Sequence, residues 1–254
     1  MTAAELLFPG ATGLFAGVLG AMLGLGGGIV VVPVFALFSG RFLGADMPIQ
    51  EAVAASQIGV LSVAVASSAT YLGRNLVRVR TAYLLSPYTV FGGIAGSFLG
   101  LVLDERVVAF IFAALMIYTG VEMLRGARRP ETTRSEPSRW SRPAVSAAGL
   151  MSGLLGVGGG TVQVPVLNVL VGIPFREAIA TSTFMMGLTA LANALIYFAN
   201  GSLVVTLAAP LAVGILLGAR VGALVSKWVP VSALRVLFAG LVFYTAYDLV
   251  VSHL

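Results

Sequence analysis

Residues 24–33 read GLGGGIVVVP, and residues 156–165 read GVGGGTVQVP. Each decapeptide lies inside a long apolar stretch, and the two begin 132 positions apart. In a helix interior, glycine costs about 1 kcal/mol and proline about 3 kcal/mol relative to alanine. The two stretches therefore predict interrupted helices. Interrupted hydrophobic segments at matching places in two halves of a chain are the best sequence indicator of a transporter's substrate site.

The composition indicates an all-α integral membrane protein. Of the 254 residues, 58% are hydrophobic and only 10% are charged, and the mean hydropathy is +1.00. Soluble domains carry roughly 25% charged residues. The chain has no cysteine, which excludes thiolate metal sites, and it has no HExxH, GxSxG or Walker A motif. We therefore expect no catalytic residue, no metal, no cofactor and no nucleic-acid partner.

Eight apolar segments are candidates for membrane crossing, and they form two similar sets of four. The first and fifth are too long for one span, and they are the two that contain the triple glycines. At an offset of 126, Pro48 and Glu51 match Pro174 and Glu177. These pairs predict helix starts, and the alternative for the two glutamates is a proton-carrying carboxylate near a cavity mouth. The segments are residues 10–38, 49–73, 82–103, 107–124, 143–171, 175–199, 203–226 and 231–251. We predict a repeat over residues 1–124, a solvated hinge over 125–142 and a second repeat over 143–254.

The distribution of basic residues bears on the topology. If all eight segments cross, the lysines and arginines divide nine against six. If the first and fifth segments enter and return at their glycines, the division becomes thirteen against two, with only Arg41 and Arg106 on the poorer side. The positive-inside rule favours this second arrangement, which has inverted repeats, two re-entrant hairpins and both termini outside.

The interrupted helices predict a binding site for a small anion. A helix that starts after each triple glycine exposes its first N–H groups and carries about half a positive charge there. Pro33 and Pro165 lack an N–H and are expected to end or kink the segments that follow. The second copy adds Thr161 and Gln163, where the first has Ile29 and Val31. The predicted substrate-binding residues are Gly26, Gly27, Gly28, Pro33, Ser56, Gln57, Gly158, Gly159, Gly160, Thr161, Gln163, Pro165, Ser182, Thr183 and Asn193.

Other polar and small residues admit two interpretations. Ser182, Thr189 and Asn193 share one helix face, and such a stripe either joins helices or lines a path. Arg220 either attracts an anion or extends to the membrane interface. The small-residue stripes at 92–100 and 214–222, each with glycine at every fourth position, predict close helix packing.

The paired G-x-GGG-x-x-x-x-P motif, followed in the second copy by IPFREAIATST, resembles the TauE/SafE family of membrane permeases, often called sulfite exporters. The resemblance covers nearly the whole chain. It implies a multi-pass protein of the bacterial inner membrane that transports sulfite, organosulfonates or similar anions. Ion or potential gradients would drive this transport. An anion channel and a non-transporting assembly or sensor protein remain alternatives. The expected partners are a small anion and the lipid bilayer, and a homo-oligomer is left open.

Overall fold

A computed structural model describes residues 3–44, 47–125 and 139–225, together with the single residues 228, 240, 243 and 247. These three ranges contain nine helices and no strand. Apart from residues 240, 243 and 247, the predicted eighth segment, 231–251, lies outside the described residues, as do residues 126–138 of the predicted hinge. The helices are α1 (Ala3–Leu23), α2 (Gly28–Leu43), α3 (Ile49–Gly73), α4 (Val79–Val102), α5 (Glu105–Arg125), α6 (Ser141–Leu155), α7 (Gly160–Val169), α8 (Phe175–Ala199) and α9 (Val205–Val225).

The helices have the lengths and surfaces of membrane spans. Within the described ranges, α1, α3, α4, α8 and α9 are long and apolar enough to cross a bilayer. Large apolar side chains point outwards, as at Phe91 and Val102, which are 73% and 84% exposed. A bilayer accepts such a surface, whereas soluble monomers rarely expose large contiguous apolar patches. The prediction of an all-α, multi-pass membrane protein is confirmed.

The first and fifth segments are each divided into two helices at the glycine motif. Gly26 and Gly27 have φ angles of 78° and 75°, and Gly158 and Gly159 have 77° and 68°. A β-carbon strains this left-handed backbone, so glycine is the residue that allows the turn. Pro48 and Pro174 precede the first residues of α3 and α8, as predicted for helix starts.

The chain reverses direction at each break. A β-carbon on Gly27 would lie 3.0 Å from the carbonyl oxygen of Ala16, and further along α2 the ring of Phe35 stacks on Phe8 at 5.6 Å. The two helices therefore run antiparallel. In the second half, a β-carbon on Gly159 would likewise lie 3.0 Å from the carbonyl oxygen of Ala148, two turns before the end of α6.

Of the two expected effects of Pro33 and Pro165, an end or a kink, the first is not observed, because neither proline ends its helix. Pro33 lies inside α2, which continues to Leu43, and Pro165 lies inside α7. Both prolines are the sixth residue of their helix, where the missing N–H removes one hydrogen bond of the helix without removing the turns on either side.

The glycine stripes bring helices of opposite halves together. On α4, β-carbons at Gly92 and Gly96 would overlap the carbonyl oxygens of Ser146 and Leu150 on α6. On α9, Gly214, Gly218 and Gly222 face Gly10, Leu14 and Val18 of α1 in the same way. Residue numbers increase together along both pairs, so each pair is parallel. The close-packing interpretation of these stripes is therefore confirmed by their contacts.

Helices α3 and α8 cross in the middle of the protein and run antiparallel. Gln57 of α3 lies near Asn193, and Tyr71 lies in one apolar cluster with Ala180. Near the centre, a β-carbon on Gly187 would lie 2.9 Å from Cβ of Ala64. The carboxyl ends of α3 and α8 therefore lie at opposite ends of the molecule.

The two halves place a buried tyrosine equivalently. The Tyr71 hydroxyl donates to the Ala21 carbonyl oxygen at 2.7 Å, and the Tyr197 hydroxyl donates to Gly153 at 2.8 Å. We expect Tyr197→Phe to lower the free energy of unfolding by about 1–2 kcal/mol, because it leaves a buried carbonyl without its donor. Denaturant unfolding in detergent measures this loss. Tyr83→Phe is the control, since Tyr83 is 68% exposed; equal stabilities of the two variants would contradict the assignment.

Candidate functional site

The two helix breaks meet face to face. A β-carbon on Gly26 would lie 3.3 Å from Cα of Gly158, and a β-carbon on Gly158 would lie 3.3 Å from Cα of Gly26. Next to this contact, β-carbons on Gly28 and Gly160 would overlap the carbonyl oxygens of Gly156 and Gly24, respectively. No side chain other than hydrogen fits between the two turns. The predicted convergence of the motifs is therefore a direct backbone contact, with no space for an anion between Gly26 and Gly158.

Buried N–H groups lie at the start of α2 and of α7. The N-cap residues are Gly27 and Gly159, which have no side chain that could accept a hydrogen bond from these N–H groups. The first N–H groups of a helix have no acceptor within the helix. The first turn of α7 is buried, with Thr161 7% exposed and Gln163 fully buried. This turn therefore presents donors and the positive end of a helix dipole inside the protein.

Three side chains around the start of α7 carry polar atoms without hydrogen-bond partners. They are the hydroxyl oxygens of Ser152 and Thr161 and the amide nitrogen Nε2 of Gln163. A β-carbon on Gly159 would lie 3.1 Å from Gln163 Nε2 and 3.3 Å from Cβ of Ser152, so these two side chains adjoin one backbone position. Thr161 follows in the first turn of α7. Unpaired buried polar atoms are rare and each calls for an explanation. We call Ser152, Gly159, Thr161 and Gln163 the donor cluster.

Neighbouring polar residues hold the donor cluster in place. Ser182 donates from its hydroxyl to Gln163 Oε1 at 3.2 Å, which fixes the side of the amide that carries Nε2. Gln57 donates from Nε2 to the Ser152 carbonyl oxygen at 2.6 Å. Ser56 donates to the carbonyl oxygen of Gly156 at 2.9 Å. Side chains of α3 and α8 thus fasten both sides of the second break.

The remaining predicted residues have supporting positions. The side-chain nitrogen of Asn193 donates to the Gly93 carbonyl oxygen at 3.0 Å. The other atom of this amide lies 3.4 Å from Gln57 Oε1. Thr189, on the same face, donates to the Thr89 hydroxyl at 3.0 Å. The Thr183 hydroxyl donates to Ile179 of its own helix. The polar face of α8 therefore joins helices around the site, and Thr183 does not reach the donor cluster.

Sequence reasoning missed Ser152. It lies in the last turn of α6, immediately before the glycine motif, and it is fully buried. The signal in the sequence is its counterpart at an offset of 132, Gly20. A hydroxyl in place of glycine beside the turn distinguishes the second motif from the first.

The polar side chains of the site come from the second half of the chain, although the backbone contacts of the two breaks are equivalent. The residues of the first half that correspond to Ser152, Thr161 and Gln163 are Gly20, Ile29 and Val31. None of these three carries a polar side chain, and Ile29 and Val31 are buried in the apolar core. The prediction that the second half supplies more polar groups agrees with this arrangement.

The donor cluster has the chemistry of an oxyanion site. Two hydroxyl groups, a carboxamide nitrogen and the first N–H groups of α7 can all donate hydrogen bonds. Among the residues whose burial is described, no charged side chain is buried, so no carboxylate competes with a bound anion. Backbone and side-chain donors at a helix start suit an oxyanion of several oxygens.

Comparison with known proteins places the chain among membrane transporters. The model of the family "Sulfite exporter TauE/SafE" matches residues 10–249. A protein of Bacillus subtilis named "Probable membrane transporter protein YunE" is 26% identical over 85% of this chain and 86% of its own length. A "Probable membrane transporter protein" of Xylella fastidiosa is 27% identical over 89% of this chain and 87% of its own length.

An archaeal protein is also similar: "Probable membrane transporter protein MJ0441" of Methanocaldococcus jannaschii is 22% identical over 90% of this chain and 89% of its own length. No solved structure matches the chain. The family match covers nearly the whole sequence, including both glycine motifs and the donor cluster. This chain belongs to the TauE/SafE sulfite exporter family.

Proposed function

We propose that this protein is a secondary transporter that exports small sulfur-containing anions, such as sulfite or organosulfonates, and binds them at the donor cluster. The observation that carries the proposal is the buried start of α7, where Ser152, Thr161 and Gln163 have donors without partners. Each unpaired buried donor costs about 1–3 kcal/mol. A bound anion beside Gly159 would supply acceptors for the Ser152 hydroxyl and for Gln163 Nε2, which adjoin that position.

The choice of a sulfur oxyanion rests on the chemistry of the donors and on the family's description. A sulfite or sulfonate group presents three oxygens to several converging donors. The cluster itself holds no formal positive charge, so the helix dipole and neutral donors must compensate the substrate's charge. Such a site favours small anions over large, highly charged ones. The breaks of both hairpins, with Gly26, Gly28, Gly158 and Gly160 at their contact, are the proposed moving parts.

We further propose that the two halves are inverted repeats and that α1–α2 and α6–α7 are re-entrant hairpins from opposite membrane faces. The antiparallel crossing of α3 and α8 supports inversion, as do the matched contacts of Tyr71 and Tyr197. Inverted repeats with broken helices at their interface are typical of carriers that alternate access around one central site. The tight contact of Gly26 with Gly158 would then be one of two alternating arrangements.

The same topology assigns the membrane faces. Following the helix directions, one end of the molecule carries only Arg41 and Arg106 among the described basic residues, and the other carries Arg74, Arg78, Arg80, Arg125, Arg139, Arg142, Arg176 and Arg220. The positive-inside rule makes the richer end cytoplasmic. We place the protein in the bacterial inner membrane in this orientation.

Single cysteines test the orientation, because the natural chain contains none. Asn75 and Asn200 follow α3 and α8 and are both exposed. With inverted repeats, a membrane-impermeant maleimide added to intact cells labels Asn200→Cys and leaves Asn75→Cys unlabelled until the cells are opened. Labelling of both positions from the same side would exclude inverted repeats.

Transport itself is tested in proteoliposomes. Vesicles loaded with sulfite and containing the purified protein should release it at a saturable rate, and an organosulfonate should compete, whereas acetate should not. Vesicles without protein are the control. A rate that rises linearly with concentration would favour an anion channel, and a rate equal to that of empty vesicles would refute sulfite transport.

A further inference from the structure

An open groove lies on the outer surface between α3 and α9, and none of its lining residues belongs to the donor cluster. Its volume is about 720 Å³. Val65, Val213 and Leu217 on its walls are 62%, 58% and 57% exposed. The lining residues are Val65, Ala66, Ala69, Thr70, Val213, Leu216, Leu217 and Arg220. Because both helices are candidate membrane spans, this groove opens into the hydrocarbon of the bilayer.

Arg220 gives the groove a cation. It is exposed, and within the described ranges no acidic side chain pairs with it. A cation on a lipid-facing helix is costly unless it reaches water or an anion. Arg220 lies five residues before the end of α9, about 7.5 Å at the helical rise, so its long side chain can reach the level of the lipid headgroups.

A second guanidinium group lies at the same end of the groove. Arg74, at the end of α3, donates from Nη1 to the carbonyl oxygen of Ala223 at 3.3 Å. Ala223 is less than one turn from Arg220 on α9. Arg74 therefore links α3 to α9 within one turn of Arg220, at the end that the charge distribution assigns to the cytoplasm.

The other half of the protein provides an internal comparison. A groove of about 580 Å³ lies between α4 and α8 and is lined by Tyr83, Ser86, Pro87, Val90, Phe91, Ile94 and Leu188. When the glycine stripes of α4 and α9 are superposed, Phe98 takes the position of Arg220. Phe98 is 59% exposed and apolar. The helix packing thus needs no cation at this position, so packing does not explain why the residue is Arg220.

We propose that the groove between α3 and α9 binds an anionic phospholipid. Arg220 and Arg74 would bind the phosphate of the headgroup, and an acyl chain would lie along Leu217, Val213 and Val65. The apolar walls require a lipid and exclude a free phosphate ion, while the cation selects an anionic headgroup over a zwitterionic one. This site is separate from the proposed transport site and does not depend on it.

Lipid retention tests the proposal. The full-length protein is reconstituted with equal amounts of phosphatidylglycerol and phosphatidylcholine of identical acyl chains, extracted into detergent, and analysed by native mass spectrometry. One basic residue near the membrane surface contributes about a fivefold preference for anionic lipid. We expect the wild type to retain phosphatidylglycerol with at least this preference, and R220Q to lose most of it. R80Q, which removes another exposed arginine at the same membrane end, should retain it.

A second variant tests the groove rather than the charge. L217W fills the space for the acyl chain and keeps both arginines, so retention of phosphatidylglycerol should fall at least as far as in R220Q. Four outcomes would overturn the proposal: equal retention of both lipids by the wild type, unchanged retention in R220Q, unchanged retention in L217W, or an equal loss in R80Q. Displacement of the lipid by millimolar glycerol phosphate would also overturn it, because it would indicate a site for free anions.

Discussion

Gly160→Ala should separate the two helix breaks and abolish transport. Its new β-carbon would overlap the carbonyl oxygen of Gly24 and lie 2.9 Å from Sδ of Met186. The methionine can move, but the carbonyl belongs to the opposite backbone turn and can move only with its hairpin. Overpacking of this kind typically costs about 1–3 kcal/mol, and we expect the upper end. Sulfite efflux should fall at least about a hundredfold, because the proposed transport cycle requires the two hairpins to re-form this contact.

Gly73→Ala is the matched control for this prediction. Gly73 is the last residue of α3, and no atom lies within 4 Å of the position of its added β-carbon. Alanine there should be neutral or stabilising by at most about 1 kcal/mol. Efflux and unfolding are measured for both variants in the same lipid. Full transport by Gly160→Ala would show that close contact between the breaks is not needed.

Gln163→Leu should remove anion binding without destabilising the protein. Gln163 is fully buried, and its Nε2 has no partner, so replacing the amide by an apolar group of similar size removes a desolvation cost. The variant also loses the acceptor of the Ser182 hydroxyl. The two effects oppose each other, and we expect a change in unfolding free energy within about 1 kcal/mol. Transport should nevertheless fall by at least about tenfold, as one hydrogen bond to a charged substrate contributes about 1.5–3 kcal/mol.

The chain offers a matched control for the glutamine. Gln50 is a half-buried glutamine in the first turn of α3, and Gln50→Leu makes the same chemical change outside the donor cluster. Its transport rate should stay within about twofold of the wild type. A normal rate in Gln163→Leu, with normal folding, would remove Gln163 from the substrate site.

The helix breaks were predictable from sequence because their cause is local. Triple glycine followed by proline is costly in any continuous helix, whatever surrounds it. The starts of α3 and α8 were predictable for the same reason, since Pro48 and Pro174 act on their own neighbours. The continuation of α2 past Pro33 does not follow from sequence alone, because a helix can lose one hydrogen bond when tertiary packing supports both sides.

The pairing of elements across the two halves could not be read from sequence. The stripe beginning at Gly92 marks a face for close packing, but nothing in its spacing states that the partner is α6 rather than a neighbour in the same half. Ser152 was missed for a similar reason: a single serine in an apolar helix has no pattern, and its meaning comes from Gly159 and Gln163 folding back beside it. Thr183 lies close in sequence to the second break, but its hydroxyl donates within its own helix, to the carbonyl oxygen of Ile179.

Ligand-dependent thermal stability shows whether the donor cluster binds a small sulfur oxyanion. The purified protein in detergent is unfolded with sulfite, sulfate, thiosulfate, taurine, sulfoacetate, chloride or acetate at fixed ionic strength. A ligand at one hundred times its dissociation constant stabilises the folded state by about 2.7 kcal/mol. We predict a saturable stabilisation by sulfite or an organosulfonate that disappears in Gln163→Leu and persists in Gln50→Leu. No stabilisation by any of these anions, or an equal stabilisation of Gln163→Leu, would contradict the claim.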